Sequence, residues 1–87
     1  MNDALVYWLS TSEEEIHYID AIISAYDGMA AVRRDFRIFN GQTMYKVYVS
    51  LGMEDEFLEV MERLRETASI GDLIRDDDAQ TASNSGG

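Results

Sequence analysis

Residues 30–51 read AAVRRDFRIFNGQTMYKVYVSL, and this stretch predicts a β-hairpin. Apolar and charged side chains alternate in its first half, as expected for a strand with one solvated face. The two sets are Val32, Phe36 and Ile38 on one face and Arg33, Asp35 and Arg37 on the other. Asn40-Gly41 follows, and a type I′ turn favours this pair because both of its central residues need a positive φ. The second half alternates again, with Tyr45, Val47, Val49 and Leu51 opposite Met44, Lys46, Tyr48 and Ser50.

Upstream of the hairpin, residues 4–9 read ALVYWL and predict a first strand. Such nearly continuous apolar character is typical of a central strand that is covered on both faces. Because both faces are apolar, the sequence leaves the register of this strand open. Either Val6 and Trp8 or the alternate set of Leu5, Tyr7 and Leu9 faces away from the helices.

A helix is predicted to begin at Ser12, which forms a capping-box pattern with Glu15. An apolar stripe then recurs at helical spacing and defines the buried side of this helix. Its members are Ile16, Ile19, Ile22, Ile23 and Tyr26. Gly28 is expected to end the helix as a left-handed cap residue.

A second helix is predicted over residues 53–68, again from helical spacing of apolar side chains. Its stripe consists of Phe57, Val60, Met61, Leu64 and Ala68, and Glu59 with Arg63 forms an i,i+4 pair on the solvated side. Residues 70–74, interrupted by Gly71, are a candidate for a fourth strand at a sheet edge. Residues 75–87 contain no large apolar side chain and cannot offset their ordering entropy by burial. We therefore expect one domain over residues 1–74 and a disordered acidic and polar tail over residues 75–87.

The order strand, helix, strand, strand, helix and candidate strand predicts an α+β fold of the ferredoxin-like type, βαββα(β). Right-handed crossovers place both helices on one face of an antiparallel sheet. The first and third strands are then central, and the strand over residues 30–39 lies at an edge. The other face of the sheet has no helix of its own and is partly apolar and aromatic in either register of the first strand.

The composition restricts the kinds of site and the cellular location that this protein can have. The 87 residues carry a formal net charge of −10, and they include no cysteine, which excludes disulfides and thiolate metal sites. No apolar run approaches the ~18 residues that a membrane span needs. The start, Met1-Asn2-Asp3, has neither the basic residues nor the apolar run of a secretory signal. We expect a cytoplasmic protein with no membrane partner.

The residue types that catalysis requires are poorly represented. There is no cysteine, the one histidine, His17, has no evident serine partner, and no glycine-rich phosphate loop is present. His17 has acidic neighbours on its helix, but a stable metal site needs three or four converging ligands, so a surface histidine is the preferred interpretation. The acidic runs 13–15 and 54–56 open helices, where the helix dipole accounts for them. No enzyme, catalytic residue, metal or cofactor is predicted.

Residues 18–33, which read YIDAIISAYDGMAAVR, are similar to a group of short bacterial domains of unknown function. Their shared stretch runs from a helix through Tyr-acid-Gly into a Val-Arg strand, and the resemblance extends over about residues 4–70. It implies an ACT-like, ferredoxin-like fold and brings no catalytic residues. The broader ACT group binds amino acids with a glycine-containing loop after the first strand, whereas residues 10–13 here contain no glycine.

The predicted interaction face is the helix-free side of the sheet, because exposed apolar patches usually mark contact surfaces. Its candidate residues are Trp8, Arg33, Arg37, Met44, Lys46 and Tyr48. The leading hypothesis is a non-enzymatic protein-interaction module that self-associates into a homodimer or binds another protein. The alternative is an ACT-type regulatory domain that senses a small molecule. RNA binding is a third hypothesis, disfavoured by the net charge and by the absence of an RNP-like pattern.

Overall fold

The structure, a computed structural model, describes residues 4–76. The elements follow in the order β1 (Ala4–Ser10), α1 (Glu13–Ser24), β2 (Ala30–Phe39), β3 (Gln42–Ser50), α2 (Glu54–Leu64) and β4 (Leu73–Arg75). The four strands form one antiparallel sheet in the order β2-β3-β1-β4. The fold is α+β, as predicted, and it is compatible with a ferredoxin-like arrangement. Neither helix of this described range is long and apolar enough to cross a membrane.

The open question of the β1 register has a clear answer. Leu5, Tyr7 and Leu9 belong to the main core, where they pack with side chains of both helices. Successive side chains of a strand point to opposite faces of the sheet, so Val6 and Trp8 lie on the other side. The buried core members from the helices are Ile16, Ile19 and Ile23 of α1 and Phe57, Val60, Met61 and Leu64 of α2. Both helices therefore cover the same face, and both predicted apolar stripes point into the core.

The hairpin has the predicted turn, since φ is +50° at Asn40 and +79° at Gly41. One irregularity interrupts the β2–β3 pairing. Val32 pairs with Val47 and Phe36 with Tyr45, so β2 advances four residues where β3 advances two. Because the excess is an even number, the alternation of faces survives across the irregularity.

Both ends of α1 differ from expectation, and α2 ends at Leu64, four residues before its predicted end. Ser12 Oγ accepts a hydrogen bond from the Glu15 amide at 3.1 Å, but the Glu15 carboxylate accepts from the amide of Ser69 at 2.8 Å. The capping box is therefore half formed, because the Glu15 carboxylate accepts from the distant Ser69 amide. Gly28 does have a positive φ of +72°, yet α1 ends at Ser24, so this glycine serves the turn into β2 instead of capping the helix.

The fourth strand exists, but it is shorter and lies further along the chain than predicted. It spans only Leu73–Arg75 and pairs antiparallel with β1. Ile70, inside the predicted segment, packs against the core instead. The Asp76 amide donates to the carbonyl of Val6 at 2.8 Å, so the described domain continues past residue 74. Residues 77–87 of the predicted tail lie outside the described range.

Candidate functional site

The helix-free face of the sheet is built from alternate residues of all four strands. Strand pairing places Lys46 and Ile74 on either side of Trp8, while Tyr48 lies opposite Val6. Arg37 pairs with Met44, which itself pairs with Ser10 of β1. Paired residues of antiparallel strands point to the same face, so these side chains converge on one surface.

Trp8 is the centre of this surface. The Arg37 guanidinium lies 5.6 Å from its ring centroid and the Lys46 ammonium 5.3 Å, both within cation–π distance. The Phe39 ring meets it edge-on at 5.4 Å. The indole Nε1 donates a hydrogen bond of 2.7 Å to the Asp76 carboxylate. Trp8 is consequently only 9% exposed, although no helix covers it.

Five of the six residues predicted for the interaction face come together. They are Trp8, Arg37, Met44, Lys46 and Tyr48, and the Lys46 ammonium also lies 5.7 Å from the Tyr48 ring centroid. Arg33, the sixth, lies in the irregular part of β2 and forms an ion pair of 3.5 Å with Asp35. Both side chains of that pair are mostly exposed, so the pair contributes little to stability.

The apolar centre of the face is less exposed than the sequence suggests. Val6 and Met44 are buried together with Trp8, whereas Phe39 and Ile74 are 43% and 51% exposed. Sequence reasoning did not select the latter two. Continuing the alternation of Arg33, Asp35 and Arg37 by one step would have found Phe39. Ile74 could not be found in this way, because its face depends on the pairing of β4 with β1.

On this face, a groove of about 490 Å³ lies between the hairpin end and β4. Trp8 and Met44 are its buried lining, and Phe39 and Ile74 are its exposed apolar lining. The groove also carries both signs of charge. Arg37 lines it from β2, while Asp72 and Asp76 line it from either end of β4. We call this cavity the Trp8 groove.

The lining of the Trp8 groove combines apolar and aromatic side chains with Arg37, Asp72 and Asp76. Its lining contains no histidine or cysteine. Within residues 4–76, no group of three or more His, Cys, Asp or Glu side chains could hold a metal ion. His17 lies on the other side of the sheet, beside a separate cavity of about 120 Å³ that Glu13, Arg34 and Phe36 also line.

No family model, no curated protein and no solved structure matches this chain. The resemblance of residues 18–33 to short bacterial domains thus stays a prediction.

Proposed function

We propose that this chain is a non-enzymatic protein-interaction module that self-associates through the helix-free face of its sheet. The observation that carries the proposal is the Trp8 groove, where Phe39 and Ile74 remain exposed around a buried aromatic centre. The antiparallel strand order, with both helices on one face, supports a ferredoxin-like, ACT-like architecture of the kind seen in small bacterial domains. The absence of cysteine supports a cytoplasmic setting.

The chemistry of the groove suits a second copy of the chain. Aromatic and arginine side chains are enriched at protein interfaces, and a few of them that fill pockets on the partner dominate the binding energy. Phe39 and Arg37 are of these types and lie on the wall of a groove that could take Phe39 of another copy. A two-fold interface brings the same patch together twice, and this patch holds Arg37 as well as Asp72 and Asp76. Because the patch carries both signs of charge, positive side chains of one copy can lie against negative side chains of the other.

Replacing Phe39 and Ile74 together with serine is expected to weaken self-association by at least ~100-fold, since pocket-filling anchors typically contribute about 2 kcal/mol or more each. Sedimentation equilibrium of the wild-type and variant chains measures the change. Leu51→Ser is the matched control, because Leu51 is 57% exposed but does not line the groove. A wild-type chain that stays monomeric, or a double variant that associates as the wild type does, would refute face-to-face association.

A second candidate function is small-molecule sensing in the same groove. The volume of about 490 Å³ lies within the range of about 300–1,000 Å³ that ligand pockets occupy. Arg37 facing Asp72 and Asp76 across an aromatic centre could bind a small molecule that carries groups of both charges.

A ligand of this kind raises the melting temperature, because it binds only the folded chain. At a concentration of about 100 times its Kd it adds about 2.7 kcal/mol to the free energy of unfolding. A thermal-shift screen of amino acids and nucleotides tests this, with Arg37→Ala expected to abolish the shift. If no compound of either class shifts the melting temperature, the sensing function is rejected for those classes.

A further inference from the structure

The last strand of the sheet is held less firmly than the segment that leads into it. Strand β4 has three residues, lies at the edge of the sheet and pairs with β1. Leu73 is half-buried against the core, whereas Ile74 and Arg75 are exposed. The Arg75 guanidinium lies 3.2 Å from the Glu54 carboxylate, and both side chains are partly exposed, so this ion pair contributes little to stability. Little buried apolar surface therefore holds β4 in place.

The connector between α2 and β4 is fixed by hydrogen bonds to its backbone. The Ser69 amide donates to the Glu15 carboxylate of α1 at 2.8 Å. The Gly71 amide donates to the carbonyl of Ser10 at 2.7 Å, and the Ser10 amide donates to the carbonyl of Asp72 at 2.8 Å. The connector is thus anchored to the start of α1 and the end of β1 as far as Asp72, where β4 begins.

We propose that residues 73–76, which we call the β4 flap, open about Asp72 while the rest of the domain stays folded. Stability is not uniform across a protein, and a segment with few buried apolar contacts opens at a lower free energy than the whole domain. The open flap leaves one edge of β1 without hydrogen-bond partners. It also removes Ile74 and Asp76 from the lining of the Trp8 groove, so the groove is complete only when the flap is closed.

The flap links the groove to whatever occupies it. The Trp8 indole donates a hydrogen bond of 2.7 Å to Asp76, so the closed flap is attached directly to the centre of the groove. A second copy or a ligand in the groove contacts Ile74 and Asp76 in the closed state only. Binding to the closed state alone shifts the population towards it by mass action. This coupling rests on the proposed function, whereas the opening of the flap does not.

The backbone amides of β1 report the flap separately from the rest of the sheet, because successive amides of a strand point to opposite neighbours. The Ser10 amide donates to the carbonyl of Asp72, so it points towards the β4 side. The Trp8 amide, two residues earlier, points the same way, whereas the amides of Tyr7 and Leu9 point towards β3. The acceptor for Trp8 lies on the flap, and the acceptor for Ser10 lies on the anchored connector.

Residue-resolved hydrogen exchange of the full chain, followed by NMR on a dilute sample and corrected for intrinsic rates, tests the opening. We expect the Trp8 amide to exchange at least ~10-fold faster than the amides of Tyr7 and Leu9, because it loses its acceptor by local opening. The Ser10 amide should be as slow as those of Tyr7 and Leu9. Equal protection of Trp8 and Tyr7 refutes the flap, and fast exchange at both Trp8 and Ser10 refutes the hinge at Asp72.

A pair of variants tests what keeps the flap closed. Arg75→Ala removes the ion pair with Glu54 and should raise the exchange rate of the Trp8 amide a further ~2–5-fold, as loss of a surface ion pair allows. The amides of β1 that face β3 should keep their rates. Arg63→Ala is the matched control, because it removes an exposed ion pair within α2, away from the flap. Equal Trp8 rates in the two variants would refute the role of Arg75 in closure.

The dependence on protein concentration separates the flap from the proposed function. Association through the Trp8 groove should slow exchange of the Trp8 amide as the concentration rises, and Phe39→Ser should weaken this slowing. A fast Trp8 amide that concentration does not slow supports the flap and refutes its coupling to the groove. Uniformly slow β1 amides in a chain that still self-associates refute the flap and leave face-to-face association intact.

Discussion

Replacing Phe57 with alanine is expected to lower the free energy of unfolding by about 3–5 kcal/mol. Phe57 is fully buried at the first buried position of α2, and its ring lies 5.1 Å from that of Tyr7 on β1. The substitution removes one of the contacts between α2 and the sheet and leaves a cavity in the core. For a domain this small, whose total stability is about 5–15 kcal/mol, the loss is a large fraction of the whole.

Urea unfolding followed by the fluorescence of Trp8, the one tryptophan in the sequence, measures this change. Leu58→Ala is the matched control, because the neighbouring Leu58 is 37% exposed and should change the unfolding free energy by about 1 kcal/mol or less. If the alanine variant does not fold, Phe57→Leu keeps the test, with an expected loss of about 1.5 kcal/mol or less. Equal losses for Phe57→Ala and Leu58→Ala would contradict the orientation of α2.

The orientation of both helices could be predicted because it depends on local periodicity. Phe57, Val60, Met61 and Leu64 follow the helical repeat, and all four are buried. The Asn40-Gly41 turn was predictable for a similar reason, since its positive φ angles are a property of two adjacent residues.

What sequence reasoning missed depends on contacts between distant parts of the chain. The local sequence places Glu15 in a capping box. In the structure its carboxylate instead accepts a hydrogen bond from the backbone amide of Ser69, 54 positions later. Strand β4 is short and has little periodicity, so its bounds follow from pairing with β1 and not from its own pattern. The register of β1 could be decided only by the helices, because both of its faces are apolar.

The candidate site likewise combines features that local alternation predicts with features that depend on distant contacts. Alternation along β2 and β3 placed Arg37, Met44, Lys46 and Tyr48 on one face together, and the structure agrees. Alternation does not reveal that Trp8 is already covered by side chains of its own chain. That covering comes from Phe39, 31 positions later, and from Asp76, 68 positions later. Trp8 therefore stabilises the folded chain as well as forming the groove.

Replacing Trp8 with alanine is accordingly expected to lower the free energy of unfolding by about 3–5 kcal/mol, as for a buried aromatic residue. The variant loses the packing against Phe39, the cation–π contacts of Arg37 and Lys46 and the hydrogen bond to Asp76. Trp8→Phe keeps an aromatic ring but removes the indole donor, so it should cost about 1.5–3 kcal/mol, the range for a hydrogen bond to a charged group. Because both variants lack tryptophan, far-UV circular dichroism must follow their unfolding.

The two variants also distinguish a structural role of Trp8 from a role in contacting a partner. A tryptophan that only met another copy would leave the unfolding of the dilute monomer unchanged when replaced, within about 0.5 kcal/mol. Such a result for Trp8→Ala would contradict the burial of the indole and would mean that Trp8 is an exposed contact residue. A large loss of stability means instead that association must be tested at Phe39 and Ile74, whose side chains are exposed, with circular dichroism to check that loss of the Phe39–Trp8 contact leaves the variant folded.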